Sequence, residues 1–416
     1  MTEATQGRTN DGSAAPLSVI LVNQYYVPDD APTGRLLADV GAALAAEGHD
    51  VRAFASRRGY RDATIKYSRR EVIDGVMVRR VGGTGFTQSK RWGRLINYFA
   101  FFASVGRQLL VTRKPDVIVA LSTPPLLATV AETVAAMRGA RFVYWVMDVH
   151  PELAFRLGHL KRTSITGRIL EWSGRRTLGR SDAVIALGDD MARRIEPYSN
   201  GSTTVIPTWA DGDIICPRSV TDHPLRSEWG WDGRFVVAYS GNMGLVHEFE
   251  TIIDAATKLA GDDRYLFCFI GSGPREDEIR HEVSKRGLAN VEFRPFVDGS
   301  DLSDSLTAPD VHLVSLREDL AGLSVPSKMQ GILAAGKPLA FVGPAESDVA
   351  SIVLSNACGI HVRNGDSESL VGGLHRYAEC ADTIAVHGKA ARAAYDSSYD
   401  RSSRISEMIG TIKATA

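Results

Sequence analysis

Three glycine-rich loops and one acidic loop hold the residues best suited to chemistry. The longest lies within residues 321–343, AGLSVPSKMQGILAAGKPLAFVG, where a Gly/Ser/Pro loop opens a short helix that runs through Ala-Ala-Gly-Lys-Pro into an apolar strand. It sets unpaired N–H groups, the hydroxyls of Ser324 and Ser327, and Lys328 at a helix N-terminus, where a diphosphate binds readily. Gly241-Asn242-Met243-Gly244 and Gly271-Ser272-Gly273-Pro274 supply two further turns. Any one of these alone reads as an ordinary strand-to-helix turn, but three in order point to a phosphate-bearing ligand. Asp148-Val149-His150-Pro151-Glu152 follows the apolar run Phe142–Met147 at its carboxyl end. There Asp148 is placed to orient or deprotonate a hydroxyl, with His150 or Glu152 assisting. The competing reading is that Asp148 caps the next helix and His150 only packs.

The elements that must position these loops alternate along the chain. Strands are predicted at Val19–Val22, Val51–Ala55, Val76–Val81, Val117–Leu121, Phe142–Met147, Ala183–Leu187 and Thr204–Ile206, several followed by a polar turn and a helix. One such helix spans Arg35 to Glu47, with Leu36, Leu37, Val40, Ala43 and Leu44 on one face and Gly48 at its C-terminal cap. After the turn-rich break PTWADGD the pattern restarts, with strands at Phe235–Tyr239, Tyr265–Ile270, Val291–Arg294, Val311–Leu316, Pro338–Val342 and Gly359–Val362 and helices such as Glu250–Leu259 and Glu276–Arg286. This is an α/β chain of two Rossmann-like, doubly wound parallel-sheet domains facing a central cleft. The predicted divisions are a flexible tail at 1–16, a first domain at 17–210, a second at 211–390, and a terminal helical segment at 391–416 able to pack back on the first domain.

Composition sets the bounds. The 416 residues are 44% hydrophobic and 23% charged, as an ordered protein of two to three domains requires. Residues 1–16 lack the apolar stretch of a signal peptide, and no apolar run approaches the roughly 18–20 residues needed to cross a bilayer, so a cytoplasmic protein is expected. Cys216, Cys268, Cys358 and Cys380 are scattered without a CxxC pair, which argues against structural zinc or a disulfide framework. The net charge of −1 hides a basic stretch: from Arg52 to Pro115 there are fifteen Lys/Arg against three acids. Nucleic acid is an unsuitable partner, given the overall charge and the lack of a reader motif.

Seven blocks in order carry a family resemblance: NQYYVPDDAPTGR, EGHDV, WVMDVHPE, VIPTWAD, YSGNMGLVHEFE, IGSGPR and VPSKMQGILAAGKPLAFVGP. The chain resembles the GT-B glycosyltransferases, within them the large retaining family of bacterial exopolysaccharide and lipopolysaccharide enzymes, and most closely the colanic-acid-type subgroup. The resemblance implies transfer of a sugar, hexosyl or N-acetylhexosaminyl, from a nucleotide sugar to a glycan or lipid-linked acceptor with retention of configuration. It implies that Gly34 brings backbone close to the donor diphosphate and that Gly241 and Asn242 line the opposite wall. Gly271, Ser272 and Gly273 would turn beside the nucleotide, the chain near Pro295-Phe296 would meet the base, and Ser324, Ser327 and Lys328 would hold the phosphates.

Departures from the family pattern are specific. Two glutamates usual near the VPS-type loop are replaced by Leu323 and Gly331, leaving Glu318 or Glu346 to supply a ribose contact. Asn242 and Met243 stand where an arginine is usual, leaving Lys328, Arg317 or Arg275 as candidates to supply that charge. No metal site and no cofactor beyond the donor are expected, since Asp211-Gly212-Asp213 falls at the domain junction and reads as a turn. Lys90, Arg91, Trp92 and Arg94 precede the aromatic run Tyr98–Phe102 and form a candidate contact with an anionic membrane surface or an acceptor phosphate. The equal alternative makes the aromatics core and the cations a solvated rim. A sugar-nucleotide epimerase or hydrolase, and a non-catalytic nucleotide-sugar-binding subunit of a polysaccharide assembly complex, remain as other readings.

Overall fold

Long runs of β-branched and aromatic residues become strands in the computed structural model, which describes residues 15–60, 62, 64–82, 91–297 and 299–416. In the first half these are β1 (Ser18–Val22), β2 (Asp50–Ser56), β3 (Arg70–Ile73), β4 (Val76–Val81), β5 (Val117–Leu121), β6 (Arg141–Trp145), β7 (Ala183–Ala186) and β8 (Ser202–Val205). They form one sheet in the order β3-β4-β2-β1-β5-β6-β7-β8, parallel except for β3. β1 (SVILV) and β5 (VIVAL) are buried along their whole length, as central strands covered on both faces must be.

Two local differences from the sequence reading have simple causes. β3 was not expected: it is an edge strand paired antiparallel to β4 through Asp74-Gly75, whose φ values of 48° and 78° make the tight hairpin turn that Asp-Gly favours. The first helix spans Pro32–Ala46, three residues earlier than its apolar period suggests, because Pro32 has the φ that the first helical turn needs. Gly48, at φ 89°, then leads the chain away.

The second half repeats the scheme with β9 (Phe235–Ser240), β10 (Tyr265–Ile270), β11 (Val291–Arg294), β12 (Val311–Ser315), β13 (Leu339–Val342) and β14 (Gly359–Val362), all parallel, in the order β11-β10-β9-β12-β13-β14. The strand order reverses between β1 and β5 in one sheet and between β9 and β12 in the other. Ligands of such sheets bind outside the carboxyl ends of the strands at those points.

The chain passes between the domains at two adjacent places. The first is near Trp209–Asp211, and the second is the break between the helices Ala381–Ser398 and Arg401–Thr415. Ala210 pairs with Asp400 as a β-bridge, and the Tyr395 hydroxyl donates to the Ala210 carbonyl at 2.9 Å. Arg401 reaches Asp39 at 2.6 Å and Asp211 at 3.4 Å, while the Trp209 indole N–H donates to Asp39 at 2.8 Å. Beyond this crossing, Ile405, Met408, Ile409 and Ile412 enter the core of the first sheet. Each fully buried side chain of this size contributes about 1.5–3 kcal/mol, enough together to hold the last helix there. Ala391, Ala394 and Tyr395, by contrast, are buried on the second domain's side of the break.

Candidate active site

On the second domain the glycine loops interlock backbone to backbone. Gly241 and Gly271 follow β9 and β10 with φ of 123° and 131°, conformations that a side chain resists. A Cβ on Gly271 would overlap the Gly241 carbonyl oxygen, and one on Gly273 would stand 2.6 Å from the Met243 backbone. Met243 N–H donates to the Ser272 carbonyl at 2.8 Å, and Arg275 N–H donates to the Met243 carbonyl at 3.1 Å. Lys328 crosses from the third loop: its Nζ lies 3.4 Å from the centre of the Tyr239 ring and donates to the Asn242 carbonyl at 3.3 Å. It has no carboxylate in ion-pair range among the described residues, and desolvation pulls its pKa well below the usual lysine range. The loops thus converge on one cation at the strand-order reversal, with the Asn242 and Ser272 side chains exposed and Phe296 beside Gly271.

Several groups that the sequence reading did not select complete this wall. His247 is buried, and its Nδ1 lies 2.7 Å from the Ser315 carbonyl; a carbonyl only accepts, so Nδ1 carries the proton. Burial, then the Lys328 and Arg275 charges, hold His247 far below its ordinary pKa, leaving Nε2 a neutral acceptor. Arg275 donates to the His247 carbonyl at 2.7 Å, fixing the loop from behind. The Ser240 and Ser315 hydroxyls, at the ends of β9 and β12, are buried without a partner among the described residues. Only their place after a strand could have marked them in sequence.

The acidic loop of the first domain meets the third loop directly. Val149 N–H donates to the Leu323 carbonyl at 2.9 Å, and Asp148 pairs with Ser324 as an antiparallel bridge. Ser122 Oγ holds the loop by accepting from Met147 N–H and Asp148 N–H at 3.0 and 3.1 Å. Asp148, His150 and Ser324 are all half-buried. Desolvation lowers the His150 pKa against the opposing pull of Asp148, so its imidazole is neutral at pH 7. A second contact joins the domains nearby. Asp190 N–H donates to both oxygens of Asp348, at 3.2 and 3.0 Å, and Arg194 donates to the Ala321 carbonyl at 2.7 Å.

Known proteins carry the same two-part arrangement. Residues 33–209 match the model of the glycosyl transferase 4-like domain, and residues 223–394 match that of the glycosyl transferases group 1. The chain belongs to the GT-B glycosyltransferases. It is 24% identical over 95% of its length to the whole of WcaI of Escherichia coli (strain K12), a protein named as a colanic acid biosynthesis glycosyl transferase. Over 62% of this chain and 65% of the relative it is 28% identical to the glycosyltransferase WbjE of Pseudomonas aeruginosa, so that match spans just under two thirds of the relative. Among solved structures, Anabaena Alr3699/HepE in complex with UDP-glucose shares the fold at a TM-score of 0.71 with 16% identity, covering 96% of this chain and all of that one.

Within this GT-B frame the remaining candidates divide. Gly34 N–H donates to the Ala31 carbonyl at 2.9 Å, and a Cβ there would sit 3.1 Å from Tyr25 backbone, so the glycine also serves packing within its own domain. Glu152 opens the helix Glu152–Arg156 and pairs with Arg162. Glu318 and Ser327 are exposed, and Glu318 has no bonding partner among the described residues. Leu323 is wholly buried among Leu320, Met329 and Ile332, while a Cβ on Gly331 would meet Leu306 at 3.3 Å, so both departures from the family pattern are packing positions. Asp211 accepts from Asp213 N–H and Ile214 N–H at 3.1 and 3.3 Å, shaping a turn. Lys90 lies outside the described residues, as do the side chains of Arg91, Trp92 and Arg94. In the helix Arg91–Val111, Phe101 is core at 6% exposed, whereas Phe99 faces out at 68%.

Proposed function

We propose that this chain is a retaining glycosyltransferase of cell-surface polysaccharide biosynthesis, acting at the cytoplasmic face of the membrane. It transfers a hexosyl or N-acetylhexosaminyl group from a nucleoside-diphosphate sugar to a glycan or lipid-pyrophosphate-linked acceptor. The observation that carries this reading is the convergence of Lys328 and the interlocked Gly241 and Gly271 loops opposite Asp148, across the Asp148–Ser324 bridge. The Anabaena neighbour in complex with UDP-glucose makes a uridine diphosphate sugar the first donor to try.

Transfer breaks the bond from the anomeric carbon to the diphosphate, so negative charge grows on the leaving oxygen while the sugar gains oxocarbenium character. Lys328 and the backbone amides of the Gly241, Gly271 and Ser324–Ser327 loops are fixed before the reaction and stabilise that charge, with no divalent metal required. The acceptor hydroxyl attacks from the face the diphosphate leaves, and its proton passes to a leaving-group phosphate oxygen. Asp148, with neutral His150 beside it, orients the hydroxyl. Lys90, Arg91, Trp92 and Arg94 contact an acceptor phosphate or anionic lipid.

The test is release of nucleotide from UDP-, GDP- and TDP-sugars with a bacterial lipid extract, with and without EDTA. Release that requires the extract, survives EDTA and is lost in Lys328→Ala supports the reading. Release without acceptor favours a hydrolase or epimerase. The packed Leu323 and Gly331 positions favour one other reading, a donor-binding subunit without turnover. Donor binding with no release across several acceptor sources would support it.

A further inference from the structure

The cations able to face a diphosphate, Arg275, Arg317 and Lys328, are held in two different ways. Arg275 is committed to a carboxylate, its Nε and Nη2 donating to Glu278 at 2.9 and 2.5 Å. Arg317 is likewise paired with Asp319, at 3.2 Å. Lys328 has no carboxylate in ion-pair range among the described residues, and its ammonium stands instead 3.4 Å from the centre of the Tyr239 ring.

Tyr239 is fixed to carry that charge. It lies near the carboxyl end of β9, wholly buried, and its hydroxyl donates to the Asn242 carbonyl at 2.9 Å. Lys328 donates to the same oxygen at 3.3 Å. Phe249 and His247 meet the Tyr239 ring edge to face, at centroid separations of 4.9 and 5.8 Å, and hold its plane. The lysine stem reaches the ring by crossing Gly241, where a Cβ would stand 3.1 Å from Lys328 Cε. Glycine, ring and carbonyl together fix the stem and the head of one side chain.

A ring face attracts a cation through its quadrupole while adding no net charge. A carboxylate in the same place would hold the lysine as firmly, but it would neutralise the charge and repel an incoming diphosphate. The ring also favours the charged form, against the desolvation that draws the Lys328 pKa down.

We propose that Tyr239 is a positioning residue for donor binding, seating the Lys328 ammonium on its ring and on the Asn242 carbonyl so that the charge meets the diphosphate unneutralised. This rests on the reading of Lys328 as a diphosphate-binding group.

The experiment uses the full chain and UDP, with affinity measured by calorimetry across neutral and alkaline pH. Tyr239→Phe keeps the ring, and a trifluorinated phenylalanine introduced at position 239 by amber suppression nearly keeps its shape while removing the negative face. Relative to Tyr239→Phe, the fluorinated chain should bind UDP about fivefold more weakly and show its alkaline fall in affinity at lower pH. In a Lys328→Ala background the difference between the two should vanish, as it would not if the ring served only to pack. Equal affinities and equal pH profiles in the two chains overturn the proposal, while a loss of UDP affinity in Lys328→Ala alone leaves the donor reading standing. A fluorination effect that persists undiminished in Lys328→Ala overturns it as well. Failure of the parent chain to bind UDP, GDP or TDP would defeat the donor reading itself, and the seat with it.

Discussion

The two walls of the cleft are made differently. The second-domain wall, which we propose binds the donor, is backbone: Gly241, Gly271, Met243 and Ser272 hold one another through main-chain contacts, and Lys328 brings a cation to them. The first-domain wall, which we propose meets the acceptor, is side chains on a loop: Asp148 and His150 stand on Ser122 and Gly174, and Glu152 is engaged with Arg162. Backbone walls tolerate almost no added volume, because neither partner can rotate away. Side-chain walls can be altered one contact at a time. A nucleoside diphosphate, chemically constant, suits the first, and an acceptor that differs from one polysaccharide to another suits the second.

The largest expected effect tests the rigid wall. Gly271→Ala should abolish donor binding and cost about 3 kcal/mol or more of stability, measured by calorimetry and thermal unfolding, because the Gly241 carbonyl is in the way. Retained donor binding would mean that the interlock is not the phosphate wall. The matching change opposite, Gly174→Ala, should cost about 1 kcal/mol and leave donor affinity intact. Next, Lys328→Ala should weaken donor affinity by about tenfold to a hundredfold.

Lys328 also gives a pH signature. Its pKa is lowered in the free protein, and a diphosphate bound beside it, as proposed, would raise it again, so binding would take up a proton. Donor affinity should therefore fall as pH rises through the free-state pKa, and the slope should vanish in Lys328→Ala; a titration in several buffers checks both. On the softer wall, Asp148→Asn should raise the acceptor KM about tenfold with a small change in kcat. A kcat loss of about a hundredfold or more would make Asp148 the base instead.

The smallest expected effect lies where the walls are joined. Desolvation, then the neighbouring Asp190 carboxylate, push the Asp348 pKa up from 3.8 to about 7, with Asp189 and Tyr399 also close by. A raised acid pKa means that the folded chain holds a proton the unfolded chain has released, so stability should fall as pH rises from about 4 to about 7. Asp348→Asn keeps an acceptor for Asp190 N–H, removes the charge, and should raise the melting temperature at pH 8 by about 2–4 °C while flattening that slope. A melting temperature unchanged at pH 8 would refute it.

The fold was legible because buried parallel strands read as unbroken apolar runs, and β5, β10 and β11 match the sequence reading to the residue. β3 was missed because an edge strand carries no such run; its signal was Asp74-Gly75 alone. The donor loops were visible through their glycines, since backbone contact requires that residue type. His247, Ser240 and Ser315 were not, because their role depends on which strands end side by side. That is set by sheet order, not by spacing along the chain.

The doubled crossing at Ala210 and Asp400 gives the molecule a pivot. Two strands of covalent chain, cross-linked by Tyr395 and the Arg401 ion pairs, resist sliding and twisting but leave one easy motion, a swing that parts the walls at the side away from the pivot. The Asp148–Ser324 and Asp190–Asp348 contacts act as the catch on that swing. Opening that swing would break those hydrogen bonds and also draw Leu153, with Val149 and Leu157, out of the apolar cluster it shares with Leu320, Leu323 and Met329.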